Sequence, residues 1–294
     1  MAWESLFIAT VGRGLKEHFG LTLWEDYQPF MIPGIVGDGL NMMWEVGAVK
    51  YGANIEAIYQ IRDNMSYFII DMVTKQPNLL INQLGDRFMD EGKMGNTTYT
   101  GNAIWLQPGN YAYSIMDGNI NKYYRKNGPD ILDIVHPADG FEHFEDEANR
   151  ALADKYDCFF AADTIEDLAK QIGIDADKLQ ETIDDYNDMC DHGRDTKYGK
   201  NPDFLKKITG KGRYYCAKHY LAAYGTVGGV KINKKCEVFD AKDQVIPGLF
   251  CAGTDANTIY GDSYNFTLPG NTMGFALNTG RMAGEAAADY VDAL

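Results

Sequence analysis

The final third of the chain limits the possible folds more than any other part. Gly225-Thr226-Val227-Gly228-Gly229-Val230-Lys231-Ile232 reads as a glycine-rich turn entering a strand, with further strands over Glu237 to Asp240 and Gly248 to Ala252. Pro269-Gly270-Asn271 then opens a long helix to about Val291, with Ala276, Gly280, Ala283, Gly284 and Ala287 as a stripe of small residues. Small residues let backbones approach closely, so this helix is expected to lie against a sheet or a bulky ligand. Short strands, tight turns and such a helix are parts of an α/β layer, which gathers ligands at the carboxyl ends of its strands.

Upstream, Ser5 to Thr10 reads as a buried strand running into Val11-Gly12-Arg13-Gly14. The third glycine of a dinucleotide fingerprint would fall on Glu17, whose charge would face a pyrophosphate, so the spacing argues against a phosphate loop here. Gly37-Asp38-Gly39 predicts a turn, and Leu40, Met43 and Trp44 predict a short helix ended by Gly47. From Asn54 to about Tyr220 the texture changes to that of an inserted domain, with strand-like runs at Tyr67 to Val73 and Leu79 to Asn82. Within it, Thr164-x-x-Asp167 resembles a capping box, Gly173 can close that helix, and Asp175 caps another carrying Leu179, Ile183 and Tyr186.

Charge narrows the function. In 294 residues there are 27 Lys+Arg against 42 Asp+Glu, a formal charge of −15. Such a surface repels phosphate backbones, which argues against nucleic acid as a partner. No apolar run approaches the roughly 20 residues of a membrane span, and the N-terminus has neither a basic region nor a signal-like core. A soluble, cytoplasmic protein is the expectation. The five cysteines (Cys158, Cys190, Cys216, Cys236, Cys251) are scattered singly, without a CxxC or a His at metal spacing, so they read as packing residues and no metal is expected.

The strand Pro247 to Ala252 ends at Gly253-Thr254-Asp255, placing a carboxylate at a strand terminus, where Asp255 could accept hydrogen bonds from ligand hydroxyls. The plain alternative is an Asp capping a helix. The helix starting near Asn271 turns free N–H groups and the positive end of its dipole toward the preceding loop. A reduced flavin, anionic at one ring edge, is a group that such a helix would stabilise.

Several segments, in this order, resemble the flavoprotein family of fumarate reductase and succinate dehydrogenase flavoprotein subunits, urocanate reductase and 3-ketosteroid dehydrogenases. They are Phe7 to Gly12, Gly37 to Met42, Leu80-Ile81-Asn82-x-x-Gly85-Asp86-Arg87-Phe88, Gly225 to Ile232, Ile246 to Gly253, and Gly270-Asn271-Thr272-Met273-Gly274 through Gly280 to Ala287. The resemblance implies an α/β fold: the later part of a discontinuous Rossmann-like FAD-binding domain with an inserted α+β capping domain. It divides the chain into 1–57 and 222–294 for FAD and 58–221 for the substrate cap. The family's Gly-x-Gly-x-x-Gly unit, which precedes the first of these strands, has no counterpart here, so the chain resembles the C-terminal portion of a longer flavoprotein. FAD is the implied cofactor, with Thr10, Gly12 and Asp38 near its nucleotide half, and Gly253, Thr254 and Asp255 near the ribityl chain. Gly270, Asn271, Thr272 and Met273 would face the isoalloxazine.

Departures from the family bear on substrate. Fumarate reductases place an arginine just before the flavin helix, where this chain has Thr267, and another after the Arg-Phe-x-x-Glu segment, where Glu91 to Gly95 has none. A guanidinium is the natural dicarboxylate clamp, so fumarate itself is not the expected substrate. Tyr224, Tyr260 and Tyr264 stand near those places instead, and a phenol can protonate or polarise a carbonyl or enolate, although tyrosines in a Tyr-rich chain more often pack. Lys93 and Asp71 are expected at the surface, and His219 and His136 at the surface or hydrogen-bonded. The resulting expectation is an FAD-dependent oxidoreductase passing hydride between flavin N5 and an activated C=C of a small-molecule enoate or enone. The alternatives are a truncated or split non-catalytic flavoprotein, needing a separate chain for the missing unit or forming a homo-oligomer, and a 3-ketosteroid dehydrogenase-like enzyme, suggested by Leu268-Pro269-Gly270.

Overall fold

The computed structural model describes residues 28–29, 37–131, 138–261, 263–264 and 270–294. The expected strand Ser5 to Thr10, the positions Thr10 and Gly12, and His136 and Thr267 lie outside these. In chain order the main elements are β1 (Gln28–Pro29), α1 (Asp38–Glu45), β2 (Lys50–Gln60), α2 (Phe68–Thr74), β3 (Leu79–Ile81) and α3 (Thr97–Trp105). There follow β4 (Tyr111–Asp117), α4 (Gly118–Asn127), α5 (Phe144–Ala153), β5 (Phe159–Ala162), α6 (Ile165–Ile172) and α7 (Ala176–Asp191). The last group is β6 (Tyr214–Val230), β7 (Glu237–Phe239), β8 (Val245–Phe250) and α8 (Asn271–Asp292). Two compact units result: Tyr59–Leu221, and the described residues up to Ile58 together with Ala222–Leu294.

In the Tyr59–Leu221 unit, β4 pairs antiparallel with both β3 and β6, and β5 pairs antiparallel with the other edge of β6. Helices cover this sheet, and the core includes Ile70, Leu79, Ile115, Phe144, Phe159 and Leu168. The local caps are as their chemistry predicts: Asp167 N–H donates to Thr164 Oγ1 at 3.1 Å, Lys178 N–H donates to Asp175 Oδ1 at 2.9 Å, and Gly173 ends α6 in the left-handed region.

Three local expectations are corrected. Tyr67 to Val73 is helical over Phe68–Thr74 instead of extended. Buried on nearly every side, this segment shows no polar face to betray a helical period, and the Glu147 carboxylate accepts the N–H groups of Ile69 and Ile70 at its amino end. The Gly225 to Val230 run is no turn but the end of the long strand β6. Asp71 is fully buried, accepting the Ile61 N–H and pairing with Lys75 at 2.6 Å.

His219 is also fully buried, and neither ring nitrogen makes a hydrogen bond among the described residues. Its ring meets Tyr59 edge-on at 5.3 Å. Burial holds it neutral, lowering its pKa to about 4, with Asp71 pulling weakly the other way. Its contribution to stability is whole above the unfolded-state value near 6.5 and is lost as pH falls toward 4, because only the unfolded chain takes up the proton. A loss of about 3 kcal/mol is expected across that window. Denaturant melts at neutral pH and near pH 4 should show the loss in the wild type and a correspondingly smaller one in His219→Phe.

In the other unit, β1 runs parallel to β6 at Ala222 and Ala223, β2 pairs with β6, and β7 and β8 form a hairpin. Leu40, Met43, Val230, Val238, Cys251 and Ala256 form a small core. All five cysteines are free; Cys190 is half-buried and the others are buried. Among the described residues no helix is long and apolar enough to cross a membrane, and no group of His, Cys, Asp and Glu could hold a metal ion.

Candidate active site

Two glycines at the end of β6 decide how this site is assembled. Gly228 has φ 127° and Gly229 φ 128°, a conformation that L side chains rarely adopt. A Cβ on Gly228 would lie 2.7 Å from the Gly52 carbonyl carbon of β2, and one on Gly229 only 2.0 Å from the Asp255 carbonyl oxygen. Gly229 also forms a bridge with Ala256. Strand β2, the end of β6 and the Gly253–Asp255 turn are thereby held in backbone contact. Gly229→Ala is expected to destabilise this unit by about 3 kcal/mol or more, since strain and overlap act together. A thermal melt checks it.

Asp255 is further confined by α1, where a Cβ on Gly39 would meet Asp255 Oδ2 at 2.4 Å. Its carboxylate therefore sits beside the first turn of the helix that Asp38 begins, and burial raises its pKa. Asp38 and Thr254 are exposed. Gly253 is buried, donates its N–H to Thr279 Oγ1 of α8 at 3.0 Å, and has Ala276 packed against it. The small-residue stripe thus allows close approach at Ala276, whereas only Thr279 of the whole helix is buried.

The amino end of α8 carries the rest. Gly270 is left-handed at φ 76° and no side chain of its own caps the helix. Tyr264 does so from the preceding loop: Thr272 donates its N–H to the Tyr264 phenol oxygen at 2.9 Å and its hydroxyl to the same oxygen at 2.5 Å. The Tyr260 ring lies 4.9 Å from that of Tyr264 and 6.0 Å from Phe275. Tyr260 Oη is buried without a hydrogen-bond partner among the described residues. Burial, then Tyr264 and Glu56, push its pKa up to about 12.

The structure therefore brings Tyr260, Tyr264, Thr272 and Gly270 together at one helix terminus, with Asn271 and Met273 in the same first turn. It separately joins Asp255 to the start of α1. Tyr224 lies in β6, and its side chain is outside the described set. Sequence reasoning missed Glu56, on β2 and only 6% exposed, whose pKa burial raises to about 7. The signal was a single acid between Ile55 and Ala57 in an apolar strand.

A family model described as an FAD binding domain matches residues 8–273. The chain belongs to this FAD-binding family. Among its relatives, vinyl phenol reductase of Lactiplantibacillus plantarum is 35% identical over 265 residues, covering 86% of this chain and 53% of that protein. Fumarate reductase (cytochrome) of Shewanella frigidimarina is 32% identical over 259 residues, covering 88% of this chain and 40% of the relative. The open conformation of a flavocytochrome c3 fumarate reductase matches at TM-score 0.57 and 27% identity, over 87% of this chain and 40% of that structure. The chain spans 53% of the first relative and 40% of the second. This is a flavoprotein of the fumarate reductase type, and its cofactor is FAD.

The residues present fit that cofactor. The amino end of α8 offers backbone N–H groups, Met273 and Leu277 expose apolar surface one turn apart, and Tyr260 keeps a buried hydroxyl unspent. A flat ring with a polar edge needs such surroundings.

Proposed function

We propose that the chain serves an FAD-dependent reductase of activated C=C bonds in small molecules, enoate- or enone-like and not fumarate itself. The observation that carries the reading is the pair of phenols at the amino end of α8, one spent as a helix cap and the other holding a buried hydroxyl. Bound, reduced FAD supplies the hydride. Gly270 to Met273 would hold the ring edge, and Asp255 the ribityl hydroxyls. Thr10, Gly12 and Asp38 are assigned to the nucleotide half by resemblance.

Tyr260 is the assigned proton donor: at a pKa of about 12 it keeps its proton throughout the physiological range. Tyr264 would then fix the helix end against which the ring lies. Residues 58–221 are assigned to the substrate capping domain by resemblance. Likeness to a relative named vinyl phenol reductase supports a substrate without two carboxylates, as does Thr267 where fumarate reductases have arginine.

The test is reconstitution with FAD, followed by oxidation of reduced methyl viologen with 4-vinylphenol, urocanate, acrylate or fumarate. Turnover of at least one of the first three, with fumarate slowest, is the expected result. Failure to acquire flavin absorbance even after refolding with excess FAD overturns an autonomous enzyme. The long exposed face of α8 favours a second reading, a split or non-catalytic fragment that holds FAD tightly only with a separate chain. FAD would then bind weakly to this chain alone.

A further inference from the structure

A threonine hydroxyl buried in a helix commonly donates to the carbonyl three or four residues back. Thr74 of α2 does so onto the Ile70 carbonyl at 2.7 Å, and Thr279 of α8 onto that of Phe275 at 2.6 Å. The two threonines that open α3 do not. Thr97 Oγ1 and Thr98 Oγ1 are both buried without a hydrogen-bond partner, and Thr98 as a whole is only 3% exposed. The carbonyls four residues behind them already serve other donors: that of Lys93 accepts the Asn96 N–H at 2.8 Å, and that of Met94 accepts the Tyr59 hydroxyl at 3.0 Å.

The backbone at the same place keeps donors unspent. Asn96 caps α3 with its side chain, which accepts the Tyr99 N–H at 2.9 Å, and its carbonyl accepts the N–H of Thr100 at 3.0 Å. The N–H groups of Thr97 and Thr98 find no acceptor among the described residues. Side chains lean toward the amino end of their helix, so both hydroxyls project to the end at which these N–H groups point. No acid stands in the first turn of α3. Gly95 and Tyr99, on either side, are exposed, so the helix end reaches the surface.

We propose that the amino end of α3 binds the carboxylate of a small organic acid through the hydroxyls and N–H groups of Thr97 and Thr98. The identity of the acid rests on the function assigned above: it is an enoate, which the inference selects over enones and other activated alkenes. The end of a helix presents about half a positive charge, and neither Lys nor Arg stands in the first turn of this one to balance more. A single negative charge suits it, whereas the double charge of a phosphate group does not. Two hydroxyls and two N–H groups give each carboxylate oxygen donors, and hydrogen bonds to an ionised acceptor are the strong ones. Binding also satisfies two hydroxyls whose burial is otherwise unfavourable. Thr97 and Thr98 are positioning residues, fixing where the acid sits.

The experiment uses the full chain labelled with nitrogen-15 and titrated with acrylate, with its saturated counterpart propanoate, and with inorganic phosphate, at constant ionic strength. The amide signals of Thr97 and Thr98 should shift saturably with both carboxylates and more weakly with phosphate. Thr98→Val should weaken acrylate binding by about tenfold or more, the loss expected of one charge-assisted hydrogen bond, and Thr98→Ser should restore it. Without ligand, Thr98→Val should melt no lower than the wild type, because its methyl replaces a hydroxyl that has no partner. That melt separates lost binding from lost folding. In the FAD-loaded protein, with reduced methyl viologen, Thr98→Val should raise the KM for acrylate about tenfold relative to that for 4-vinylphenol, which carries no carboxylate. Signals at α3 that fail to saturate, phosphate that binds more tightly than acrylate, or equal changes in KM for the two alkenes overturn the proposal. FAD-loaded wild type that reduces 4-vinylphenol but neither acrylate nor urocanate overturns the enoate assignment and leaves the reductase reading intact. Saturable binding at α3 in FAD-loaded protein that reduces none of the four alkenes supports the carboxylate site and overturns the function proposed above.

Discussion

Phenylalanine at position 260 should slow alkene reduction by about 10²–10⁴-fold while leaving FAD binding intact, the range expected when a positioned general acid is removed. The substitution takes away one hydroxyl and keeps the ring that packs on Tyr264 and Phe275. Because Tyr260 Oη has no partner among the described residues, its loss strands no other polar group. Stability should change little, separating chemistry from folding. Tyr264→Phe should behave differently: it removes the acceptor of both Thr272 donors, so the amino end of α8 loses its cap. Its main effect should be weaker FAD retention and a lower melting temperature. Equal kinetic losses in the two variants, with unchanged flavin affinity in both, would contradict this division of labour. Single-turnover oxidation of the reduced flavin by 4-vinylphenol, followed by absorbance, measures the difference.

The second large effect is expected far along the chain, in the Tyr59–Leu221 unit. Arg87 is only 3% exposed at its side chain and forks onto Glu91, with Nε 2.8 Å from Oε1 and an outer nitrogen 2.7 Å from Oε2. The same outer nitrogen lies 2.8 Å from Asp195 Oδ2. Lys200, equally buried, donates to the Pro77 carbonyl at 2.7 Å and the Tyr186 hydroxyl at 2.9 Å, with Glu91 3.6 Å away. Two cations and two carboxylates balance. Burial alone would raise the Asp195 pKa, but Arg87 and the N–H groups of Lys197 and Tyr198 outweigh it and hold it below the usual carboxylate range. Removing the guanidinium in Arg87→Met leaves two buried acids facing one lysine and should cost about 3–5 kcal/mol. Adding Asp195→Asn should recover part of that loss. Denaturant titration of the single and double variants decides it; an Arg87→Met chain as stable as the wild type would reduce the cluster to ornament.

How much of this was legible in the sequence varies with the range of the interactions. Caps and helix ends are set by residues three or four positions apart, so Thr164, Gly173 and Asp175 announce their roles locally, as does the start of α8 at Gly270. Burial is a property of the whole fold. The segment Phe68–Thr74 looks extended because its apolar residues face core on nearly every side, and Asp71 and His219 look like surface residues because nothing nearby in sequence foretells their enclosure. The glycines at 228 and 229 were visible as a motif, but their reason was not: they admit the backbones of β2 and of the Asp255 turn. Arg87 and Glu91 could be read as a family-like segment. That they form an ion pair completed by Asp195 requires the fold.

That ion pair also bears on the order of folding events. Arg87 and Asp195 are separated by 108 positions, so joining them from an unfolded chain closes a loop at an entropic cost of about 4 kcal/mol. Two strands and five helices of the described chain lie between them. Their own short-range contacts shorten the effective loop once formed, which makes the cluster a late clasp on a nearly finished unit. Substitutions there should act on the rate at which the native state comes apart and hardly at all on the rate at which it assembles.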